Sequence, residues 1–283
     1  MRRCTRLVAM YSAALLLLSI GALAEPEAPC QLTVRVESEQ QHSAAGSFNE
    51  TQVSQQFNML LSTLVSKINC TLQFVDLPAG RAMKMLEDGQ LDIMVGMSET
   101  EDRARYSYFI GPHHTERMVV VASQRVPDTV QSLQQLVELN GAISVADGGY
   151  YGPLWQQLLD DNPALLSRIF AAAGNQQKLA MLVSGRVMAS LEDEATVDEL
   201  LEQNDLQHTY RKLFVIHENP VYFAFSRKTI DNIVYKQLQD AWQLMLSSGE
   251  VSQIKLQIPL AQPRKTDPAV SVASTRHHTY QSF

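Results

Sequence analysis

Met85-Leu-Glu-Asp-Gly-Gln-Leu-Asp-Ile-Met94 and Met181-Leu-Val-Ser-Gly-Arg-Val-Met-Ala-Ser190 share one design. Each reads as the end of a helix, a glycine cap and a buried strand. Glycine suits the cap because the residue that stops a helix commonly turns left-handed, a conformation a Cβ resists. A helix–Gly–strand unit that occurs once in each half of the chain predicts two lobes of similar α/β construction.

Outward from the first copy, Gly80 to Glu87 reads as the helix that Gly89 stops, and Cys70-Thr-Leu-Gln-Phe-Val-Asp-Leu as a strand ending at Pro78. Before it, Val53 to Ile68 places Phe57, Leu60, Leu61, Leu64 and Ile68 at helical spacing. Cys30-Gln-Leu-Thr-Val-Arg-Val opens the series as a strand, and Leu91 to Met97, interrupted only by Asp92, closes it as one buried on both faces. This β-α-β-α-β order predicts an open parallel sheet. Around the second copy, Val119 to Ala122, Ile143 to Val145 and Val187 to Leu191 read as strands. Leu133 to Leu139, Trp155 to Leu159 and Lys178 to Val183 read as helices. Leu213 to Ile216 and Val221 to Phe225 then lead into a long amphipathic helix, Ile230 to Ser247.

The ends differ from this body. Arg2, Arg3 and Arg6 precede the apolar run Val8 to Leu23 and the small-x-small end Ala22-Leu23-Ala24. That pattern is a secretory signal peptide, residues 1–24, cleaved before Glu25. The run is short for a membrane anchor, which needs roughly 20 apolar residues. From Ala261 onward the chain is polar, with Pro263, Pro268 and two histidines, and residues 263–283 are expected to form a disordered tail. The chain carries −7 overall. Loss of the three signal arginines leaves a clearly acidic protein, ill suited to nucleic acid or anionic lipid. A hydrophobic content of 45% indicates a packed core instead.

Cys30 and Cys70 remain after cleavage, in an oxidising compartment. Each opens a strand. If those strands are parallel neighbours, about 4.8 Å apart, both sulfurs lie at one edge of the sheet and a disulfide is geometrically reasonable. The alternative is two inert thiols.

Three further stretches carry a family resemblance. Leu86-Glu-Asp-Gly-Gln-Leu-Asp92 resembles an L-x-x-G-x-x-D element. Thr100-Glu-Asp-Arg103 followed by Phe109-Ile-Gly-Pro112 resembles T-x-E-R … F-S-x-P-Y. Gly185-Arg-Val-Met-Ala-Ser-Leu-Glu-Asp193 resembles G-R-V-D-A-V-V-x-D. In this order they resemble the family 3 extracellular solute-binding proteins, associated with polar amino-acid uptake, over roughly residues 30 to 258. The resemblance implies a two-lobed type II periplasmic binding fold, each lobe an open, mostly parallel sheet flanked by helices. Lobe one takes 25–117 plus 219–262, lobe two takes 118–218, and two hinge crossings join them.

The resemblance also implies roles. Arg103 matches the arginine that clamps a ligand carboxylate, a task suited to its planar fork; locally it also reads as a solvated arginine in the charged stretch Glu99 to Arg105. Asp193 matches the aspartate that accepts from an ammonium, and equally reads as an acidic helix start. Ser98 and Thr100 follow the third strand, where hydroxyls reach an anion or cap a helix. Arg81 adds positive charge at the start of a helix, or lies on its surface. The family's threonine-bearing turn is here Asp147-Gly-Gly-Tyr-Tyr151, where Tyr150 and Tyr151 stack on a planar ligand or pack in the core. Pro112-His113 replaces Pro-Tyr, and Gly46-Ser-Phe48 is only a trace of the usual Gly-Phe-x-x-Asp.

A Gly-x-Ser-x-Gly elbow, a P-loop and His-Glu-x-x-His are absent from the sequence, and no cofactor or metal is expected. The expected protein is a periplasmic monomer that captures a small, carboxylate-bearing or amino-acid-like solute for an ABC-type permease. The alternatives are a ligand sensor feeding a membrane kinase, or a dehydratase-like enzyme acting on a cyclic acid through Glu192 or Asp193.

Overall fold

The computed structural model describes residues 30–36 and 51–260. The signal segment, Gly46-Ser-Phe48 and the tail lie outside the described residues. The first block of the chain is β1 (Cys30–Val36), α1 (Gln52–Ser66), β2 (Cys70–Asp76), α2 (Ala79–Asp88) and β3 (Ile93–Ser98). A single-turn helix α3 (Glu101–Ala104) leads into β4 (Ser107–Ser123). The second block is α4 (Leu133–Glu138), β5 (Ile143–Ala146), α5 (Pro153–Asp161), a 3-10 turn, β6 (Ile169–Ala172), α6 (Asn175–Val183), β7 (Ala189–Asp193) and α7 (Glu194–Gln203). Then β8 (Tyr210–Ser226) returns to the first block and is followed by α8 (Asn232–Ser247) and α9 (Glu250–Gln257).

The eight strands form one sheet in the order β2-β1-β3-β8-β4-β7-β5-β6. Its outer thirds are parallel: β1 with β2 and β3, and β5 with β6 and β7. Its centre is antiparallel, where β4 and β8 pair along their length, from Ser107 opposite Ser226 to Ser123 opposite Tyr210. Each block is therefore mostly parallel, as the sequence leads one to expect, and the antiparallel crossing strands make the whole a mixed sheet. The expected strands Leu213 to Ile216 and Val221 to Phe225 are one 17-residue strand, and Val119 to Ala122 is only the far end of another. Gly111-Pro112, a cis peptide, and Pro220 interrupt the alternation that marks strands; the register shifts between Ile110 and His114 accommodate the first of these.

Alternate residues of each strand enter different cores, as the pleat requires. Val34, Ile93, Phe223 and Phe225 pack with Leu60, Leu61 and Leu64 of α1 and Trp242 of α8, whereas Met94 and Ala224 face Ala82 and Leu86 of α2. In the second block Met118, Val120 and Ala122 pack with α4 and α5, and Val119 and Val121 with α6 and α7. Helices cover both faces of the inner strands, which is why those strands read as apolar runs, while the edge strand β2 leaves Phe74 exposed.

The repeated unit is closed identically in both places. Gly89 and Gly185 have φ of 76° and 71°. Gln90 and Leu91 donate their amides to the Met85 carbonyl, and Arg186 and Val187 donate theirs to Met181. At the other end of the first block Cys30 pairs with Cys70 in register and the two form a disulfide, Cα atoms 4.5 Å apart.

Candidate functional site

Where the sheet changes from its first block to its second, the carboxyl ends of β3, β5 and β7 converge on a cavity of about 220 Å³. Open α/β sheets collect ligands at this edge, because loops and helix N-termini there present unpaired amides. The volume is below the roughly 300–1,000 Å³ that suits drug-sized ligands, so the space fits a small solute.

Arg103 reaches into the cavity from α3. Thr100 caps that helix, its Oγ1 accepting from the Arg103 amide at 3.3 Å. The guanidinium then bridges the two blocks: Nη1 donates to the Ser98 carbonyl at 2.9 Å and Nη2 to the Gly148 carbonyl at 3.0 Å. Burial lowers its pKa, with Tyr106, Glu116 and Tyr150 opposing the shift. Gly148 has φ of 70°, and a Cβ there would meet the Met83 methyl of α2 at 1.7 Å.

The opposite wall is charged. Glu192 and Lys178, both buried, form an ion pair at 2.6 Å. Burial pushes the Glu192 carboxyl up, and Lys178 holds it down. Asp193 caps α7: its Oδ2 accepts from the Thr196 amide at 3.1 Å and hydroxyl at 3.2 Å, and Oδ1 accepts from the Arg117 amide at 3.2 Å. Glu116 enters from β4, opposite Asn219 of β8, and its carboxyl is pushed up to about 8 by burial, then by Asp193 and Glu192. The Asn219 amide nitrogen donates to the Ser98 hydroxyl at 3.0 Å.

Of the residues singled out from sequence, Arg103, Ser98, Asp193, Tyr150 and Tyr151 line this cavity. Thr100 is not among the lining residues, and its hydroxyl serves the helix cap. Arg81 is exposed on α2 and also lies outside the lining. Tyr151 is buried in the second block's core and its phenol oxygen accepts from the Ala146 amide at 2.6 Å, so one edge of its ring faces core and another the cavity. Glu116 and Lys178 were not singled out. Lys178 could have been noticed as a cation on the same helix face as the core residues Leu182 and Met181; Glu116 gave no local signal. His113 is fully buried between Phe57 and Phe223, 4.4 and 4.2 Å from their ring centroids, and burial lowers its pKa to about 3. It is a neutral packing group. Among the described residues no group of three His, Cys, Asp or Glu side chains could hold a metal, and no helix is long and apolar enough to cross a membrane.

Two α/β blocks joined by two long crossing strands, with a polar cavity at the junction, define a periplasmic-binding-protein fold. The chain belongs to the bacterial extracellular solute-binding proteins, family 3, whose profile matches residues 57–257. Among curated proteins, none matches this sequence. Solved structures with the same fold include a histidine kinase sensor domain similar to periplasmic binding proteins, with TM-score 0.65, 14% identity, and 82% of this chain and 98% of that one covered. An ancestral arginine-binding protein bound to arginine matches with TM-score 0.65 and 17% identity, covering 80% of this chain and 97% of the other. The substrate-binding protein of an amino acid ABC transporter matches with TM-score 0.61 and 16% identity, covering 80% and 98%.

Proposed function

We propose that this chain is an exported monomer that captures a small polar solute bearing a carboxylate in the cavity, and presents it to an inner-membrane partner, an ABC-type permease or a sensor kinase. On this reading the described residues within 25–117 and 219–262 make one lobe and 118–218 the other, with β4 and β8 as the hinge crossings. The family and its amino-acid-binding members support this reading. The observation that carries it is Arg103, a single guanidinium that touches both blocks at the cavity. A bidentate pair with a carboxylate there is shielded when the lobes close, because closure removes competing water. Asp193 then faces the ligand's ammonium and Tyr150 its side chain. The reading is capture rather than turnover: Asp193 already serves as a cap and Glu192 is paired.

The test is a thermal-shift screen of acidic and zwitterionic solutes, followed by calorimetry. Arg103→Ala is expected to weaken binding by about 2–5 kcal/mol, the usual cost when a buried charge loses its partner. Arg103→Lys is expected to bind poorly too, since an ammonium does not reproduce the fork. A solute that binds the alanine variant as tightly as the wild type removes Arg103 from the site.

A further inference from the structure

The charged residues lining the cavity are four acids, Glu116, Asp147, Glu192 and Asp193, and three bases, Arg35, Arg103 and Lys178. Their duties within the protein are unequal. Glu192 is neutralised by Lys178, and Asp193 accepts three hydrogen bonds from α7 and β4. Arg103 gives one N–H from each terminal nitrogen to a carbonyl and keeps one on each for a ligand, and the Arg35 Nε donates to the Leu77 carbonyl. Glu116 is different. It is half-buried, it lines the cavity, and among the described residues its carboxyl makes no hydrogen bond or ion pair. Carboxylates removed from water are ordinarily paired.

Resting on the solute-binding reading of this cavity, we propose that Glu116 is a specificity-determining residue that selects a ligand with a positive group of its own, an amine or guanidinium, in exchange for a proton. The ligand's carboxylate goes to Arg103 and its further cation to Glu116, so the preferred solute carries net positive charge and a neutral or acidic relative of equal size is discriminated against. The O–H bond of Glu116 breaks, the proton passes to solvent, and the carboxylate pairs with the incoming cation.

The groups around Glu116 fix the sign of the effect. Asp193 and Glu192 of β7 disfavour its ionisation, Lys178 of α6 and Arg103 of α3 favour it, and burial outweighs both. Asp147 and Arg35 line the same cavity with opposite charge. In the unliganded protein the carboxyl therefore holds its proton at neutral pH and loses it near pH 8. A bound cation favours the ionised form, so the complex holds fewer protons than its parts. Affinity must then rise with pH, by about tenfold per unit below pH 8 for one proton exchanged, and level off above it.

The experiment uses the exported chain with L-arginine, L-lysine and L-ornithine as cationic probes, and L-glutamine and L-glutamate as neutral and acidic counterparts. Calorimetry at pH 6.5 in two buffers of different ionisation enthalpy counts protons. Release of about one proton per cationic ligand, with affinity rising up to pH 8, is the expected result. Glu116→Gln, checked for a cooperative melt, is expected to abolish the release, flatten the pH profile and lose the preference for cations at least tenfold. A cationic probe that binds without proton release overturns the proposal, as does a glutamine variant with unchanged preference. If L-glutamine or L-glutamate binds in an Arg103-dependent way and the cations do not, this inference fails and the solute-binding reading stands. If none of the five binds, both fail.

Discussion

Met85–Met94 and Met181–Ser190 fold alike and end differently. Both close a helix on a left-handed glycine and send the next strand into the sheet. The first strand runs on through Met94 and Met97 to Ser98, so the strand itself gives the cavity thioethers, backbone and a hydroxyl, and the charge on that side comes from Arg35 and Arg103 outside the repeated unit. The second runs on to Glu192 and Asp193, so its side is ionic. The corresponding sheet edges diverge as well. The first block is stapled by Cys30–Cys70 at the amino ends of β1 and β2, while the second has no such bond and buries an ion pair instead. One backbone plan thus serves two purposes: the glycine cap and the apolar run make the scaffold, and the residues just past the run make the site.

Perturbing each block tests that division. The largest effect is expected in the second. Lys178→Met leaves Glu192 buried without its cation and should cost about 3–5 kcal/mol in urea unfolding, whereas Lys178→Met with Glu192→Leu should restore most of it, since replacing a whole buried pair is often neutral. A double variant no more stable than the single one would show that the pair is not the unit that matters.

Next is the staple. Cys30→Ala with Cys70→Ala should cost about 3–4 kcal/mol, the loop-closure value for a bridge of this span, with ligand affinity unchanged because the bond sits at the end of the sheet away from the cavity. Weakened binding in that variant breaks the comparison. The smallest effect should be shared. Gly89→Ala and Gly185→Ala each force an L-residue into the left-handed region and should cost about 1–2 kcal/mol. Gly89→Ala should be the worse of the two, since its Cβ meets the Lys228 Cβ at 2.8 Å while that of Gly185 meets the movable end of Arg125. Equal losses would mean that backbone strain alone decides.

These contrasts also explain what was legible in the sequence. Of the positions read as the inner face of α1, Phe57, Leu60, Leu61 and Leu64 are buried, because helical periodicity is a local property, while Ile68 lies past the helix end at Ser66 and is only partly buried. The Cys30–Cys70 bond followed from two strand openings. The central pair β4 and β8 was not read whole, because Gly111-Pro112 and Glu218-Asn219-Pro220 look like turns until a partner strand is supplied. The short strand β6 was also missed. In the site, Arg103 and Asp193 stood out through motifs, while Glu116 and Lys178 draw their character from neighbours far away in the chain. Thr100 and Arg81 lie outside the cavity lining: the Thr100 hydroxyl caps α3, and spacing alone does not say which turn of α2 faces the cavity.

The crossing strands have a consequence for the order in which the molecule can be completed. The block β4-β7-β5-β6 is built from one uninterrupted stretch of chain, and its parallel strands have all been made once β7 ends at Asp193. The block β2-β1-β3 has a different schedule. Its next strand is β8, with Ile93 opposite Phe225, and its core takes in Leu238, Trp242 and Met245 from α8. A nascent chain that stops short of Tyr210 therefore carries a second block whose parallel strands are in place and that lacks only the first half of β8 along β4, and a first block with an open edge at β3 and the core residues of α8 still unmade. The first portion to be synthesised is the last to be finished, and the closing loop it must wait for is the longest in the fold.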